Sequence, residues 1–227
     1  MAMQTDQRAQ PRLPLSRDRV LRAAITLADT GGIASLTMRR LAQDLGVEAM
    51  SLYNHVANKD DILNRIIELV FSEVAVPSGD DDWKPAIRAS AISAHGVFMR
   101  HPWAAGLMMS ARGAQRSRIR WMEAVLGTLQ QGGFSADLTH HAYHALDSHI
   151  IGFTLWLVSL PAVGEDLKDM AATFVQKTPL DDYPYLLEHI ELHLAEPSDP
   201  SPDDEGEFAF GLDLILDGIE RLRDQDR

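Results

Sequence analysis

The stretch from Leu36 to Lys59 (LTMRRLAQDLGVEAMSLYNHVANK) has the apolar spacing of two short helices joined by a tight turn. The first helix is predicted over residues 37–45. Gly46 follows it, where a residue with a left-handed backbone commonly ends a helix. The second helix is predicted over residues 49–55. Such a pair is typical of a helix-turn-helix, whose second helix enters the major groove of DNA.

The second helix turns polar and aromatic side chains outward, which is unusual for a helix face that only meets water. Tyr, Ser and Lys side chains commonly bond to phosphates, and Asn can pair with adenine. The alternative is a solvated surface on which Tyr53 is partly buried. The predicted DNA-contact residues are Thr37, Met38, Arg39, Arg40, Ala49, Met50, Ser51, Tyr53, Asn54, His55 and Lys59.

This stretch, extended to Leu63 (LTMRRLAQDLGVEAMSLYNHVANKDDIL), resembles the DNA-binding signature of the tetracycline-repressor (TetR) family of bacterial regulators. The C-terminal segment EFAFGLDLILDGIERL resembles the last dimerisation helix of the tetracycline repressors. The resemblance implies an all-α fold: an N-terminal three-helix helix-turn-helix domain and a larger C-terminal helical domain for ligand binding and dimerisation. It also implies a homodimer that binds a palindromic operator in double-stranded DNA and responds to a small-molecule effector, without a cofactor.

The charge distribution is compatible with DNA binding although the net charge is −12. Residues 1–65 carry nine Lys and Arg against seven Asp and Glu, so the acidity lies in the remainder of the chain. No apolar run approaches the roughly 20 residues of a membrane span, and the N-terminus lacks a signal-peptide core. With no cysteine in the chain, these features lead us to expect a cytoplasmic protein with no membrane partner.

Three regions are predicted along the chain. Residues 1–15, rich in Gln, Arg and Pro, form a disordered tail, and contact of its arginines with DNA is left open. Residues 16–76 hold the helix-turn-helix domain and a connecting helix that runs from Lys59 to Val76. A Pro, Gly and Asp-rich break at 77–82 precedes the C-terminal domain, residues 83–227, which consists of successive amphipathic helices.

Aromatic and Met side chains with few polar groups concentrate in the middle of the C-terminal domain. A ligand cavity needs such a set, and so does a helical core. The predicted ligand-binding residues are Phe98, Trp103, Leu107, Met108, Trp121, Met122, Tyr143, His144, Asp147 and Ile151. We expect an apolar or aromatic effector. Tetracycline repressors hold a drug-bound magnesium ion with a His where this chain has Met108, so the resemblance does not extend to a magnesium–tetracycline effector.

The helices predicted over residues 137–160 and 208–223 carry more apolar surface than a monomer of this size normally exposes. The predicted dimer-interface residues are Leu146, Ile150, Phe153, Leu157, Phe208, Leu212, Ile215 and Ile219. The alternative is an interior core. A dimer would place two reading helices on the two halves of a palindrome.

His140, His144 and Asp147 share one helix face, at a spacing that can hold a metal ion. A polar strip at the edge of the cavity or dimer is the favoured interpretation, and no metal site is predicted. The chain has no glycine-rich phosphate loop and no HExxH motif, so an enzyme is not predicted. Two alternatives remain open: a helical small-molecule-binding protein with a vestigial DNA head, and a metal-dependent enzyme that uses this face. Activation instead of repression also remains open.

Overall fold

The structure is a computed structural model that describes residues 14–78, 82–110, 115–159, 165–195 and 206–226. Within these ranges the regular secondary structure is entirely helical, as predicted from the sequence. None of the helices in the described part of the chain is long and apolar enough to cross a membrane. Most of the predicted N-terminal tail, residues 1–13, lies outside the described residues.

Two groups of helices follow the chain order. The first comprises α1 (Arg17–Gly31), a single 3-10 turn (Ile33–Ser35), α2 (Met38–Leu45), α3 (Ala49–Leu52) and α4 (Lys59–Phe71). The second comprises α5 (Trp83–Arg100), α6 (Trp103–Ser110), α7 (Arg116–Gln131), α8 (Ala136–Ser159), α9 (Glu165–Lys177), α10 (Pro184–Ala195) and α11 (Gly206–Gln225).

Local side chains set the helix starts in the first group. The Ser16 hydroxyl accepts a hydrogen bond from the Arg19 N–H at 3.2 Å, and α1 begins at the next residue. Thr37 does the same for α2, accepting from the Arg40 N–H at 3.1 Å. Thr37 is therefore the residue that caps α2, where the sequence placed it inside the helix. Each cap satisfies one of the N–H groups that a helix start leaves unpaired.

The connecting helix is shorter than predicted. It was expected to run to Val76, but α4 ends at Phe71. The Ala75 N–H donates to Ser93 Oγ at 2.9 Å, and the Ala75 carbonyl accepts from Ser90 Oγ at 2.7 Å. Because α5 side chains satisfy both polar groups of this residue, the segment gains hydrogen bonds outside the helix that local sequence preference does not reveal.

The chain separates into two compact units, residues 1–66 and 67–227, so the boundary falls inside α4. Composition had placed it later, at residues 77–82. The difference arises because the end of α4 packs with the C-terminal helices. The ring of Phe71 lies 6.1 Å from the ring of Phe98 and 6.0 Å from that of Trp121, measured between centroids.

In the N-terminal unit, α1, α2 and α3 pack around a small apolar core. Its buried residues include Val20, Ala24, Leu41, Leu45 and Leu52. In the C-terminal unit, α8 lies against α5, α6, α7 and α11, and α5 also contacts α7 and α11. The long helix α8 therefore supports the residues predicted for both ligand binding and dimerisation.

Candidate functional site

The reading helix is one regular turn followed by an irregular one. It was predicted over residues 49–55, but α3 ends at Leu52 and residues 53–55 form a turn. The N–H groups of His55 and Val56 both donate to the Leu52 carbonyl, at 2.9 and 3.1 Å. The side chains of Leu52 and Val56 are buried, which holds this turn against the core.

All of the predicted DNA-contact residues lie on accessible surface. Met50 is 75% exposed and Tyr53 is 46% exposed, although both side chains are large and apolar or aromatic. Asn54, Arg39 and Arg40 are also exposed. Thr37 is also exposed. The remaining predicted residues are partly exposed: Met38, Ala49, Ser51, His55 and Lys59. DNA contact stays a prediction for each residue, because an accessible face with a half-exposed Tyr53 fits both the contact surface and the solvated alternative.

Two arginines of α1 hold the helix-turn-helix together, a role that the sequence did not reveal. Arg17 Nε donates to the His55 carbonyl at 3.0 Å, and an Arg19 Nη2 contact reaches the Leu45 carbonyl at 3.5 Å. Both acceptors lie at the ends of α2 or of the reading turn. The pairing is invisible in the sequence because the partners are 38 and 26 residues apart.

The predicted ligand-binding residues fall into a buried group and an accessible edge. Phe98, Trp103, Met108, Trp121, Tyr143 and Ile151 are buried. Leu107, Met122 and Asp147 are half-buried, and His144 is exposed. The rings of Tyr143 and Trp121 lie 6.3 Å apart, and Trp121 Nε1–H donates to Ser90 Oγ at 2.8 Å. Trp121, Tyr143 and Phe98, together with Phe71, thus form an aromatic cluster, and contact of the predicted residues with a ligand remains a prediction.

A polar group borders this aromatic cluster between α7 and α8. An Arg118 Nη2 atom lies 3.5 Å from Asp147 Oδ2, with 25% and 21% of the two side chains exposed. Burial raises the pKa of the Asp147 carboxyl, although Arg118, His144 and a hydrogen bond from the Tyr143 hydroxyl act in the opposite direction. Burial also raises the pKa of the Tyr143 hydroxyl, and the Asp147 charge adds to that effect.

The polar strip on α8 stays a prediction, and its members have different neighbours. The rings of His140 and His144 lie 4.6 Å apart, whereas Asp147 is engaged with Arg118. Among the residues that the structure describes, no three His, Asp or Glu side chains are grouped so that they could hold a metal ion.

A second polar contact ties α7 to the end of α4. The Ser117 N–H donates to Glu68 Oε1 at 2.9 Å, and the Ser117 hydroxyl donates to the Glu68 carbonyl at 3.2 Å. Ser117 lies in the first turn of α7, where a carboxylate is stabilised by the unpaired N–H groups and by the helix dipole. We refer to this pair as the Glu68–Ser117 contact.

The structure changes the set of residues available to a dimer interface. Five of the predicted residues are buried within a single chain: Leu146, Ile150, Phe208, Leu212 and Ile219. They are buried because α8 and α11 pack against each other, and a methyl group at Gly211 would meet His149 Cε1 at 2.6 Å. Such residues have little surface left for a partner, which corrects the prediction toward its interior-core alternative.

Other apolar side chains on the same two helices remain accessible. Phe153, Leu157 and Ile215 keep partial exposure. Four large side chains absent from the predicted set are more than half exposed: Trp156, Phe210, Leu214 and Leu222. On α11, Phe210 and Leu214 are four residues apart and therefore share one face. We call this pair the α11 apolar face.

Comparison with known proteins identifies the family. The description "Bacterial regulatory proteins, tetR family" matches residues 20–66, and "Tetracyclin repressor-like, C-terminal domain" matches residues 76–223. The chain belongs to the TetR family. This TetR-family protein is a DNA-binding transcriptional regulator, and the helix-turn-helix of its N-terminal unit is the element that the first description covers.

Individual relatives agree with the family assignment. This TetR-family regulator is 30% identical over 231 residues to the HTH-type transcriptional repressor DrrR1 of Streptomyces coeruleorubidus, covering 96% of this chain and 82% of that protein. It is 30% identical to the class A tetracycline repressor from transposon 1721 of Escherichia coli, covering 92% of each chain. Its fold is similar to that of the Streptomyces coelicolor TetR family protein ActR in complex with actinorhodin, with a TM-score of 0.71 and 25% identity over 91% of this chain and 96% of that one.

Proposed function

We propose that this TetR-family regulator is a homodimeric repressor that leaves a palindromic operator when a small apolar or aromatic molecule binds its C-terminal unit. The observation that carries the proposal is the accessible reading surface on a helix-turn-helix that matches the family. DNA-binding repressors among its relatives support it, as does the ActR complex with actinorhodin, a small molecule. Because operator DNA lies in the cytoplasm of a bacterium, the proposal includes that location.

The proposed contacts with DNA follow from residue chemistry. Asn54 offers an amide that can pair with a base edge, and Arg39 and Arg40 offer charges to phosphates. Met50 is apolar and 75% exposed, so contact with a thymine methyl group is the readout that suits it best. A single reading turn of this length specifies little DNA, and a second copy of the chain supplies the other half-site.

The proposed switch uses helix α4, since this helix begins in the N-terminal unit and ends in the C-terminal unit. Its C-terminal end is attached twice to α7, through the Glu68–Ser117 contact and through the rings of Phe71 and Trp121. A ligand that shifts α7 therefore acts on α4 directly. The ligand changes operator affinity only by binding the two states of the protein unequally.

The test is fluorescence anisotropy of the purified protein with DNA from upstream of its own gene and neighbouring genes, across a salt series. Tyr53→Ala is the DNA-surface variant, and Tyr185→Ala, at an 86% exposed tyrosine of α10, is its matched control. We expect sequence-selective binding that only Tyr53→Ala weakens. If no duplex from these regions or from a random pool binds better than unrelated DNA, the repressor function is refuted. The alternative of a small-molecule-binding protein with a vestigial DNA head would then be favoured.

A further inference from the structure

The ion pair between Arg118 and Asp147 has an unusual geometry for a structural contact. Its closest atoms are 3.5 Å apart, whereas a charge-assisted hydrogen bond between these groups is about 2.7–2.9 Å long. Both side chains have lost roughly three quarters of their exposure. The two charges are thus largely removed from water, and the Tyr143 hydroxyl, which hydrogen-bonds to both side chains, compensates for only part of their lost hydration.

Such a pair contributes little to folding. Removing charges from water costs free energy, and the mutual attraction repays it only when the geometry is close and the remaining hydrogen-bonding groups are satisfied. The carboxyl of Asp147 shows the imbalance, because burial raises its pKa although Arg118, His144 and the hydrogen bond from Tyr143 all act in the opposite direction. Perturbed charged groups of this kind concentrate at binding sites.

The surroundings of the pair suit an aromatic molecule that carries a negative charge. Tyr143, four residues before Asp147 on α8, is buried, and its ring lies 6.3 Å from that of Trp121. Arg118 and Trp121 are three residues apart on α7 and so lie on neighbouring turns. A guanidinium beside aromatic rings binds a planar acid through its fixed donors while the rings contact the apolar body.

We propose that Arg118 anchors the acidic group of the effector, a carboxylate, sulfonate or phenolate on an aromatic body, and that Asp147 occupies the guanidinium while the site is empty. This inference rests on the proposed function. It adds a defined chemistry to an effector that the sequence described only as apolar or aromatic. Ligand entry exchanges one anion for another at Arg118, so the guanidinium keeps an anionic partner, and the Asp147 carboxyl keeps its hydrogen bond with the Tyr143 hydroxyl.

The position of the anchor also explains how binding reaches α4. Arg118 directly follows Ser117, whose N–H and hydroxyl both bond to Glu68 of α4. A ligand that draws the Arg118 side chain away from Asp147 therefore pulls on the first turn of α7, the turn that carries the Glu68–Ser117 contact.

The test compares two fluorescent probes that differ in charge. Anilinonaphthalene sulfonate carries the anion, and N-phenylnaphthylamine has the same aromatic body without it. Both are titrated against the full chain and against Arg118→Gln, Asp147→Asn and Arg120→Gln, the last being the control at an exposed arginine of the same helix. Far-ultraviolet circular dichroism and thermal unfolding accompany each variant.

We expect Arg118→Gln to weaken the sulfonate probe about tenfold or more, since a hydrogen bond to a charged group contributes roughly 1.5–3 kcal/mol. Asp147→Asn removes the competing anion and should tighten the same probe several-fold. The neutral probe and Arg120→Gln should each stay within about twofold of the unaltered protein. If Arg118→Gln does not fold, the opposite effect of Asp147→Asn still decides the question.

Three results would overturn the anchor: no binding of the sulfonate probe to the unaltered protein, unchanged binding in Arg118→Gln, or equal losses for both probes. Equal losses would mean that the pair only shapes the protein. Operator affinity, measured on the same preparations without probe, separates this failure from that of the proposed function. A protein that binds the sulfonate probe through Arg118 but never binds DNA selectively would refute the repressor and keep the anchor.

Discussion

The α11 apolar face, Phe210 and Leu214, makes a quantitative prediction about dimerisation. These side chains are 64% and 56% exposed in the single chain. Full burial of a Phe or Leu side chain stabilises by roughly 1.5–3 kcal/mol, so covering the exposed part of each is worth about 1–2 kcal/mol. A two-fold interface uses both residues from both copies, so the four side chains together contribute about 4–8 kcal/mol.

The perturbation is the double substitution Phe210→Ser with Leu214→Ser. A loss of about 4 kcal/mol raises the dimer dissociation constant roughly a thousandfold. Sedimentation equilibrium over a wide range of protein concentrations measures that constant. Ile119→Ser, at a 53% exposed apolar residue of α7, is the control and should leave the dissociation constant within a few-fold.

Substitution at a buried neighbour should behave differently. Leu212 is 0% exposed, and Leu212→Ala should lower the free energy of unfolding by roughly 2–5 kcal/mol in denaturant titrations. The double Ser variant should unfold as a monomer with its helical content intact. An unchanged dissociation constant in that variant would refute the reasoning, because it would show that the exposed side of α11 does not meet a second copy.

Three further predictions concern single side chains. Thr37→Ala should lower the free energy of unfolding by about 1 kcal/mol in urea titrations, with Thr37→Ser restoring most of it, because the hydroxyl caps α2. Trp121→Phe should lower the free energy of unfolding by about 1–2 kcal/mol in the same assay, because it removes the buried hydrogen bond to Ser90. Ser90→Ala should lower that free energy less in the Trp121→Phe background than in the unaltered protein. His95 has its pKa lowered from 6.5 to about 4, mainly by burial and secondly by His149. Because the folded protein resists protonation of His95 and the unfolded chain does not, the free energy of unfolding should fall as the pH drops from 6.5 toward 4. Denaturation midpoints measured across this pH range should vary less in His95→Gln.

Most helix positions could be read from the sequence because their causes are local. Ser16 and Thr37 cap helices through N–H groups three residues away. Gly46 ends α2 with a backbone φ of 67° and ψ of 36°, a conformation that costs glycine nothing. The fourth helix begins after Asn58, whose side chain accepts from the Asp61 N–H at 2.8 Å. Each of these helix starts and ends is set by residues within about one helical turn of each other, so the sequence alone contains the information.

The errors lie where distant residues decide. Helix α4 stops at Phe71 because α5 supplies partners to the backbone of Ala75. An apolar face on α11 could be assigned from periodicity, but not which side of it the chain itself would cover. Leu212 turned inward against α8, and Leu214 did not.

The sequence by itself determined the family, the helical class and the accessible polar face of residues 49–55, because these depend on dense local motifs and on neighbours along the chain. Tertiary structure alone decided three things: the hold of Arg17 on the reading turn, the pairing of Arg118 with Asp147, and the accessible side of α11. The two pairings join side chains or backbone groups that lie 29 or more residues apart in the sequence. The accessible side of α11 depends on which of its residues the neighbouring helices cover. Contacts at that separation are set by packing, which a linear pattern does not contain.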